Sequence, residues 1–309
     1  MIKRSLAWFL LLAAPCALAQ DFSSTPSATT RPRPVRFLLT FDDGPYGQER
    51  DNPTESILDT LAMNEIQQGM KAIFFLQTRS SDGGATERGR ALMRREQAEG
   101  HLLALHDGSA WGHRSHRNLS DQSLEKSVAD GVADLVPFAG REVNLLRPPY
   151  WAYDARTLAV YQRHGLNVLL TDISANDGKD WGFKGSPRRY AHMASEVANV
   201  QARLSCGELP VVDGVIPVVV AFHDTNTYTA EHMQEYFRML LDAAREAGMP
   251  VDVVPFFSDR ASLERAALAR AMDSARRDEM VPWWWRIIHW LFSEPDWVRP
   301  PAAVLTPAL

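Results

Sequence analysis

Along most of the chain, short apolar runs alternate with longer stretches in which apolar positions recur every three or four residues. The runs fall at 36–41 (RFLLTF), 71–76 (KAIFFL), 101–106 (HLLALH) and 144–149 (NLLRPP), then at 167–173 (NVLLTDI), 215–222 (VIPVVVAF) and 250–256 (PVDVVPF). They are continuous rather than alternating, as expected of strands covered on both faces. The stretches between them predict helices. Asn52 stands as an N-cap, Pro53 at the first helical position and Glu55 where it would close a capping box, with Ile57 and Leu61 following at helical spacing. Segments 119–136 and 229–248 are equally helical, and Gly248 sits where a C-terminal cap belongs. Seven such strands alternating with helices predict one α/β domain, either a closed parallel barrel or an open doubly wound sheet. In both, functional groups gather at the carboxyl ends of the strands.

The two ends of the chain depart from this rhythm. It opens MIKRSLAWFLLLAAPCALAQ: two basic residues, a short apolar run interrupted by Pro15, and an Ala17-Leu18-Ala19 cleavage signal. That is the pattern of a secretory signal peptide, so the protein is expected to be exported, periplasmic or secreted, without stable membrane insertion. Residues 1–19 are read as the signal, 20–35 as a flexible Ser/Thr/Pro-rich linker, 36–278 as the folded domain and 279–309 as a Trp/Pro-rich extension. The extension's VPWWWRIIHWLFSEPDW holds five of the nine Trp and receives no function. With 309 residues, 45% of them hydrophobic, the chain can bury a large core, and its formal net charge of −5 gives no attraction to nucleic acid. Cleavage would remove Lys3, Arg4 and Cys16, leaving a more acidic chain with too few thiols for a thiolate metal cage.

Chemistry-bearing residues cluster where the runs end. Asp42 and Asp43, side by side in TFDDGP, follow the first run although adjacent carboxylates repel. The third is followed by HDGSAWGHRSHRNLS with His106, His113 and His116, and the fourth by RPPYW with Arg147 and Tyr150. DISANDGKDWG, carrying Asp172, Asp177, Asp180 and Trp181, follows the fifth, and the sixth ends on His223 and Asp224. Each group alone fits a solvated turn or a structural histidine. Together they meet at one edge of one sheet, where an acid, two imidazoles and an open position make a catalytic site for a divalent metal such as zinc. A nearby cation lowers the cost of adjacent carboxylates, so Asp42 and Asp43 are expected to divide the work as base and ligand.

From about Arg36 to about Phe257 these residues resemble the NodB-type polysaccharide deacetylases, carbohydrate esterase family 4. TFDDGP (40–45) is that family's first motif letter for letter; RPPY (147–150), the DxxDW at Asp177–Trp181 and the strand ending in HD follow in order. The resemblance implies a distorted (β/α)7 barrel and metal-dependent removal of an acetyl group from an N-acetylated sugar, with zinc as the expected ion and an acetylated glycan as substrate. It assigns Asp42 as general base, and Asp43 and His106 as metal ligands. Arg147 would hold the base, and the Tyr150 backbone N–H would donate to the oxyanion. His223 becomes the general acid, Asp180 its orienting partner, and Trp181 a wall of the acetyl pocket. Amide chemistry demands such groups: a Lewis acid to polarise the carbonyl, a base for the attacking water and an acid for the leaving nitrogen.

The chain also departs from the family pattern. The second histidine ligand should stand four residues beyond the first, whereas His116 lies ten beyond His106. HRNL keeps the context of the second family histidine, which favours His116, with His113 as its competitor. Ala221 replaces a usual Leu, implying a roomier pocket, and the long loop after the fifth run leaves Asp172 and Asp177 without assigned roles. Two alternatives remain: a carbohydrate O-acetyl esterase using the same site, and a non-catalytic glycan-binding relative.

Overall fold

The computed structural model describes residues 33–139, 143–177 and 188–272. The expected signal peptide, most of the linker, Asp180, Trp181 and the Trp-rich extension lie outside the described residues. Seven parallel strands, β1 (Val35–Asp42), β2 (Ala72–Gln77), β3 (Leu102–Asp107), β4 (Leu145–Leu146), β5 (Asn167–Val168), β6 (Ile173–Ser174) and β7 (Ile216–His223), lie in the order β5-β4-β3-β2-β1-β7-β6. An eighth, β8 (Val251–Phe256), pairs with the start of β1 at Val35 and Phe37, while β2 pairs with Leu39 to Asp42. Val35, counted with the linker from sequence, is thus already strand.

The strand order dictates a barrel. Six inter-strand steps of about 4.8 Å would hold the ends of a flat sheet nearly 30 Å apart. Yet β5 and β6, the two ends, are joined only by residues 169–172, which span at most about 18 Å. The sheet must therefore curl until its ends meet, giving the distorted (β/α)7 barrel. Residues 167–173, expected as one strand, instead divide into β5, the link 169–172 that closes the ring, and the first residue of β6. On one side Leu169 N–H donates to Leu146 O (2.9 Å), and on the other Asp172 N–H donates to Val219 O (3.0 Å). The buried Asp172 carboxylate clamps this seam by accepting from Val219 N (2.8 Å), Arg203 (2.8 Å) and Arg270 (2.6 Å).

Helices α1 (Pro53–Ala62), α2 (Glu87–Ala98), α3 (Asp121–Ala139), α4 (Ala155–Arg163), α5 (Arg189–Ser205), α6 (Thr227–Glu231), α7 (Met233–Glu246) and α8 (Arg260–Arg270) accompany the strands, with short 3-10 turns at His116–Asn118 and Pro149–Trp151. Among the described residues no helix is long and apolar enough to cross a membrane. Asn52 caps α1 as expected, accepting from Glu55 N (3.1 Å). The capping box does not close, because the Glu55 carboxylate is drawn to Arg88 of α2. The helix expected over 229–248 breaks at His232, whose φ of −115° and ψ of 16° end α6 and start α7. Gly248 (φ 71°) terminates α7, its N–H donating to Arg245 O (3.0 Å).

Strand alternation sorts the residues into two cores. Phe37, Leu39 and Phe41 face outward into the main core shared with the helices, where Leu58 and Phe237 also lie. Leu38, Ile73, Phe75, Leu102, Ala104 and Val219 fill the interior, which α8 floors with Leu263, Ala266 and Ala267. Counting upward in twos from these interior positions reaches Asp42, Gln77, His106, Arg147 (from Leu145) and His223 at the carboxyl ends of the strands. The same alternation that builds the barrel aims those side chains into its mouth.

Candidate active site

Asp42 ends β1 and its side chain turns inward, 3% exposed. A continuing strand would send Asp43 the opposite way. Instead Asp43 adopts φ 75°, a left-handed conformation that Asp tolerates better than most residues, and both carboxylates line one cleft. The turn is fitted tightly to β7. A Cβ on Gly44 would lie 2.1–2.5 Å from the Asp224 carboxyl, so only glycine allows this approach. That carboxyl accepts from Thr54 Oγ1 (2.8 Å), which itself accepts from Tyr46 N (3.0 Å). Burial pushes the Asp224 carboxyl up to about 7.

Arg147 crosses the barrel to hold Asp42. Fully buried, it donates to Asp42 Oδ1 (2.8 Å), Thr40 Oγ1 (2.6 Å), Leu169 O (2.9 Å) and Leu170 O (3.2 Å), with its guanidinium 4.3 Å from the centre of the Phe75 ring. The carbonyls of the seam are thus spent on this guanidinium rather than on a strand ladder. An ion pair at this depth is orientation more than net stabilisation, but breaking it by removing one partner costs about 3–5 kcal/mol.

Asp43 meets two imidazoles. Its Oδ1 lies 3.3 Å from His106 Nε2 and 3.6 Å from His113 Nε2, and it accepts from Gln77 Nε2 (2.9 Å). His106 Nδ1 lies 2.7 Å from Arg147 O, so it is the donor there. The opposite nitrogen, Nε2, is buried without a hydrogen-bond partner. In neutral His106 its lone pair would face the Asp43 oxygen, an arrangement that needs a proton or a cation between them. Burial works against a proton on His106, but Asp43 and Asp42 outweigh it and raise its affinity for one. Burial would likewise raise the Asp43 carboxyl, yet the adjoining His106 imidazole and the charges of His106, His113 and His223 hold it far below the carboxylate range. Asp43, His106 and His113 form a cluster whose ligand atoms lie within 4.8 Å of one another. One carboxylate, two imidazoles and an orphaned buried nitrogen fit a divalent cation.

His113, not His116, completes the cluster, which corrects the choice made from sequence context. The loop after β3 folds back on Asp107, which accepts from Ser109 N (2.6 Å) and more weakly from Arg114 N (3.4 Å). It then turns through Gly112 (φ 70°) and delivers the His113 ring onto that of His106, centroids 5.2 Å apart. His116 lies three residues further, in a short turn (His116–Asn118), fully buried, with Nδ1 2.8 Å from the Tyr161 hydroxyl of α4. Burial brings the His116 imidazole down to about 4 and keeps it neutral.

On the opposite wall, His223 Nδ1 lies 2.8 Å from Asp177 Oδ1. Asp180 is outside the described residues, and Asp177 occupies the orienting position expected of it. The buried Asp177 also accepts from His223 N (2.8 Å) and Thr229 Oγ1 (2.8 Å), which fixes its carboxylate. Burial opposes a cationic His223, but Asp177 first, then Asp43 and Asp42, raise it to about 10. The cleft of about 440 Å³ between these walls is lined by Asp42, Asp43, His106, His113 and His223, with Tyr150, Ser174, Asn176, Thr225 and Asn226. Tyr150 (φ 60°) stacks on His113 with centroids 4.2 Å apart. Gln77 escaped the sequence reading; as a polar residue at an inward position ending an apolar strand, it carried a readable signal.

Comparison with known proteins agrees with the motifs. Residues 29–169 match the family model described as polysaccharide deacetylase. A chitin deacetylase of Pestalotiopsis sp is 29% identical over 144 residues, covering 47% of this chain and 44% of that protein. A protein of Geobacillus stearothermophilus described as an uncharacterized 30.6 kDa protein is 27% identical over 159 residues, covering 49% of this chain and 54% of that one. The chain thus spans about half the length of the curated relatives it matches. Among solved structures, the chitin deacetylase of Colletotrichum lindemuthianum aligns with a TM-score of 0.52 at 21% identity, covering 71% of this chain and 85% of that one. That likeness concerns the fold alone.

Proposed function

From its kinship with the polysaccharide deacetylases, we propose that this chain is an exported, divalent-metal-dependent hydrolase that removes N-acetyl groups from an N-acetylated polysaccharide or oligosaccharide. The observation that carries the reading is the unpartnered His106 Nε2 facing Asp43, with an Arg147-held carboxylate on one side and an Asp177-held imidazole on the other. Asp43, His106 and His113 would hold the cation, proposed to be zinc for its fit to two imidazoles and a carboxylate. When bound, such a cation polarises the acetyl carbonyl and acidifies water.

The chain's own residues supply the proton transfers. Asp42, which Arg147 keeps in place, takes a proton as water oxygen bonds to the acetyl carbon. The Tyr150 backbone N–H is proposed as a donor to the oxyanion that develops there. His223 gives its proton to the amide nitrogen as the carbon–nitrogen bond breaks, releasing acetate and a free amine. Asp177 sets the pH range of that step. Its negative charge raises His223, so Asp177→Asn lets the imidazole lose its proton at lower pH. The alkaline limb of the pH profile of kcat is therefore expected to move to lower pH while the acid limb stays in place. An unmoved alkaline limb would remove Asp177 from this role.

The experiment is acetate release from N-acetylated and O-acetylated glycans by chelated protein and by protein reloaded with zinc. Zinc-dependent release from N-acetylated substrates is expected. Release from O-acetylated substrates alone would replace the amide reading by an esterase, and no release from either would end the catalytic reading.

A further inference from the structure

We propose that Asp172, in the link between β5 and β6, is a positioning residue that fixes the general base Asp42 from beneath the site, acting through Arg147. The proposal deepens the deacetylase reading and rests on it, since it adds a part to the machinery that prepares the base.

Arg147 ties the base to the link that closes the barrel. Its Nη1 donates to Asp42 Oδ1 (2.8 Å) and Thr40 Oγ1 (2.6 Å) of β1, while Nε donates to Leu169 O (2.9 Å) and Nη2 to Leu170 O (3.2 Å). A guanidinium is a rigid plane, so the two link carbonyls set the angle at which it meets Asp42. Those carbonyls stay in place only if the link does. One end is held where Leu169 N donates to Leu146 O (2.9 Å). At the other end Asp172 grips a single residue of β7 twice: its N–H donates to Val219 O (3.0 Å) and its carboxylate accepts from Val219 N (2.8 Å). Val219 stands four residues before His223 on β7, so this anchor lies about 13 Å below the mouth.

The Asp172 carboxylate is itself held on both oxygens. Oδ2 takes the Val219 N–H, and Oδ1 takes Arg203 of α5 (2.8 Å) and Arg270 of α8 (2.6 Å). The Asp172 side chain is 3% exposed and that of Arg270 7%, against 33% for Arg203, so the bond to Arg270 is the buried one. All of these donors need a carboxylate oxygen. Asp172→Asn sets an NH2 group against either the Val219 N–H or the two guanidinium groups, and one anchor must give way. The carbonyls of Leu169 and Leu170 then lose their fixed place under Arg147. Arg147 also loses a nearby negative charge: burial disfavours its cation, and Asp42 first, then Asp172, work against that. A misplacement of about 1 Å at a reacting group can cost about a hundredfold in rate, so a partial loosening passed on through Arg147 is worth about tenfold.

The test measures kcat and KM for acetate release from the β-1,4-linked N-acetylglucosamine tetramer by zinc-loaded wild type, Asp172→Asn, Arg147→Lys and the double variant. Asp172→Asn is expected to lower kcat about tenfold with KM within about twofold of wild type, the pattern of a lost transition-state interaction. Lys cannot bridge Asp42 and the link carbonyls, so adding Asp172→Asn to Arg147→Lys is expected to cost less than about twofold. A merely structural residue would cost the same factor in both backgrounds. A second readout needs no activity: hydrogen exchange of the Arg147 Nε–H, followed by NMR. It is expected to quicken about tenfold in Asp172→Asn while the backbone amides of β2 keep their protection. Quickened exchange with no acetate released by the wild type would sink the deacetylase reading and uphold Asp172 as the residue that holds Arg147. Should Asp172→Asn not fold, Arg270→Gln, which removes only the buried cation beside Asp172, takes its place in both measurements with an expected effect of about threefold. Equal factors in the two backgrounds, or unchanged Nε–H exchange, overturns the proposal.

Discussion

Replacing Asp42 by Asn is expected to lower kcat for acetate release by about two to four orders of magnitude, the contribution of a positioned general base. Asn keeps an oxygen for Arg147 but cannot take a proton from water. The same change leaves the fully buried Arg147 hydrogen-bonded only to neutral acceptors, the Asn oxygen, Thr40 Oγ1 and the carbonyls of Leu169 and Leu170, without its carboxylate partner. A fall in Tm is therefore expected as well, toward the cost of about 3–5 kcal/mol for orphaning one member of a buried pair. Steady-state kinetics at saturating substrate, with thermal melts on the same preparations, separate the two effects. Wild-type kcat in the Asn variant would show that Asp42 is not the base.

The second large effect concerns the metal. His106→Ala and Asp43→Ala are expected to abolish zinc retention, and His113→Ala to weaken it by more than the 10–100-fold that follows loss of a mere orienting partner. His116→Ala should retain zinc and show its effect in Tm, because it removes the buried hydrogen bond between the imidazole and the Tyr161 hydroxyl. Equilibrium dialysis with metal analysis reads all four. The pH dependence has a definite sign. Asp43 and Asp42 raise His106's affinity for a proton, and a cation must displace that proton, so affinity falls as pH falls. Zinc lost from His116→Ala and kept by His113→Ala would reverse the ligand assignment.

The parts of the fold set by burial were legible in the chain. β1, β2, β3 and β7 are covered on both faces, so they read as continuous apolar runs, and their alternation already fixed which residues point into the mouth. What failed was set by backbone geometry. Residues 167–173 are apolar enough for a strand, but closing the ring forces them across from β4 to β7, and Arg147 takes the carbonyls at 169 and 170. His116 keeps the neighbours that a ligand histidine has in relatives, yet the turns at Asp107 and Gly112 present His113 to Asp43. A residue's sequence context survives an altered loop more readily than its place in space. Asp177 was visible as a candidate without a role because spacing alone does not say which of several acids meets His223. Glu55 likewise had the spacing for a capping box but a stronger partner in Arg88.

The most direct test of the central claim is a crystal structure of zinc-loaded protein with anomalous scattering from the metal. A single peak is expected about 2.0–2.1 Å from Nε2 of both His106 and His113 and about 2.0–2.2 Å from an Asp43 oxygen. Asp42 and His223 should face it from opposite walls without binding it. An ion seated on His116 in place of His113, or no ion at this cluster in protein that retains zinc elsewhere, would contradict the account.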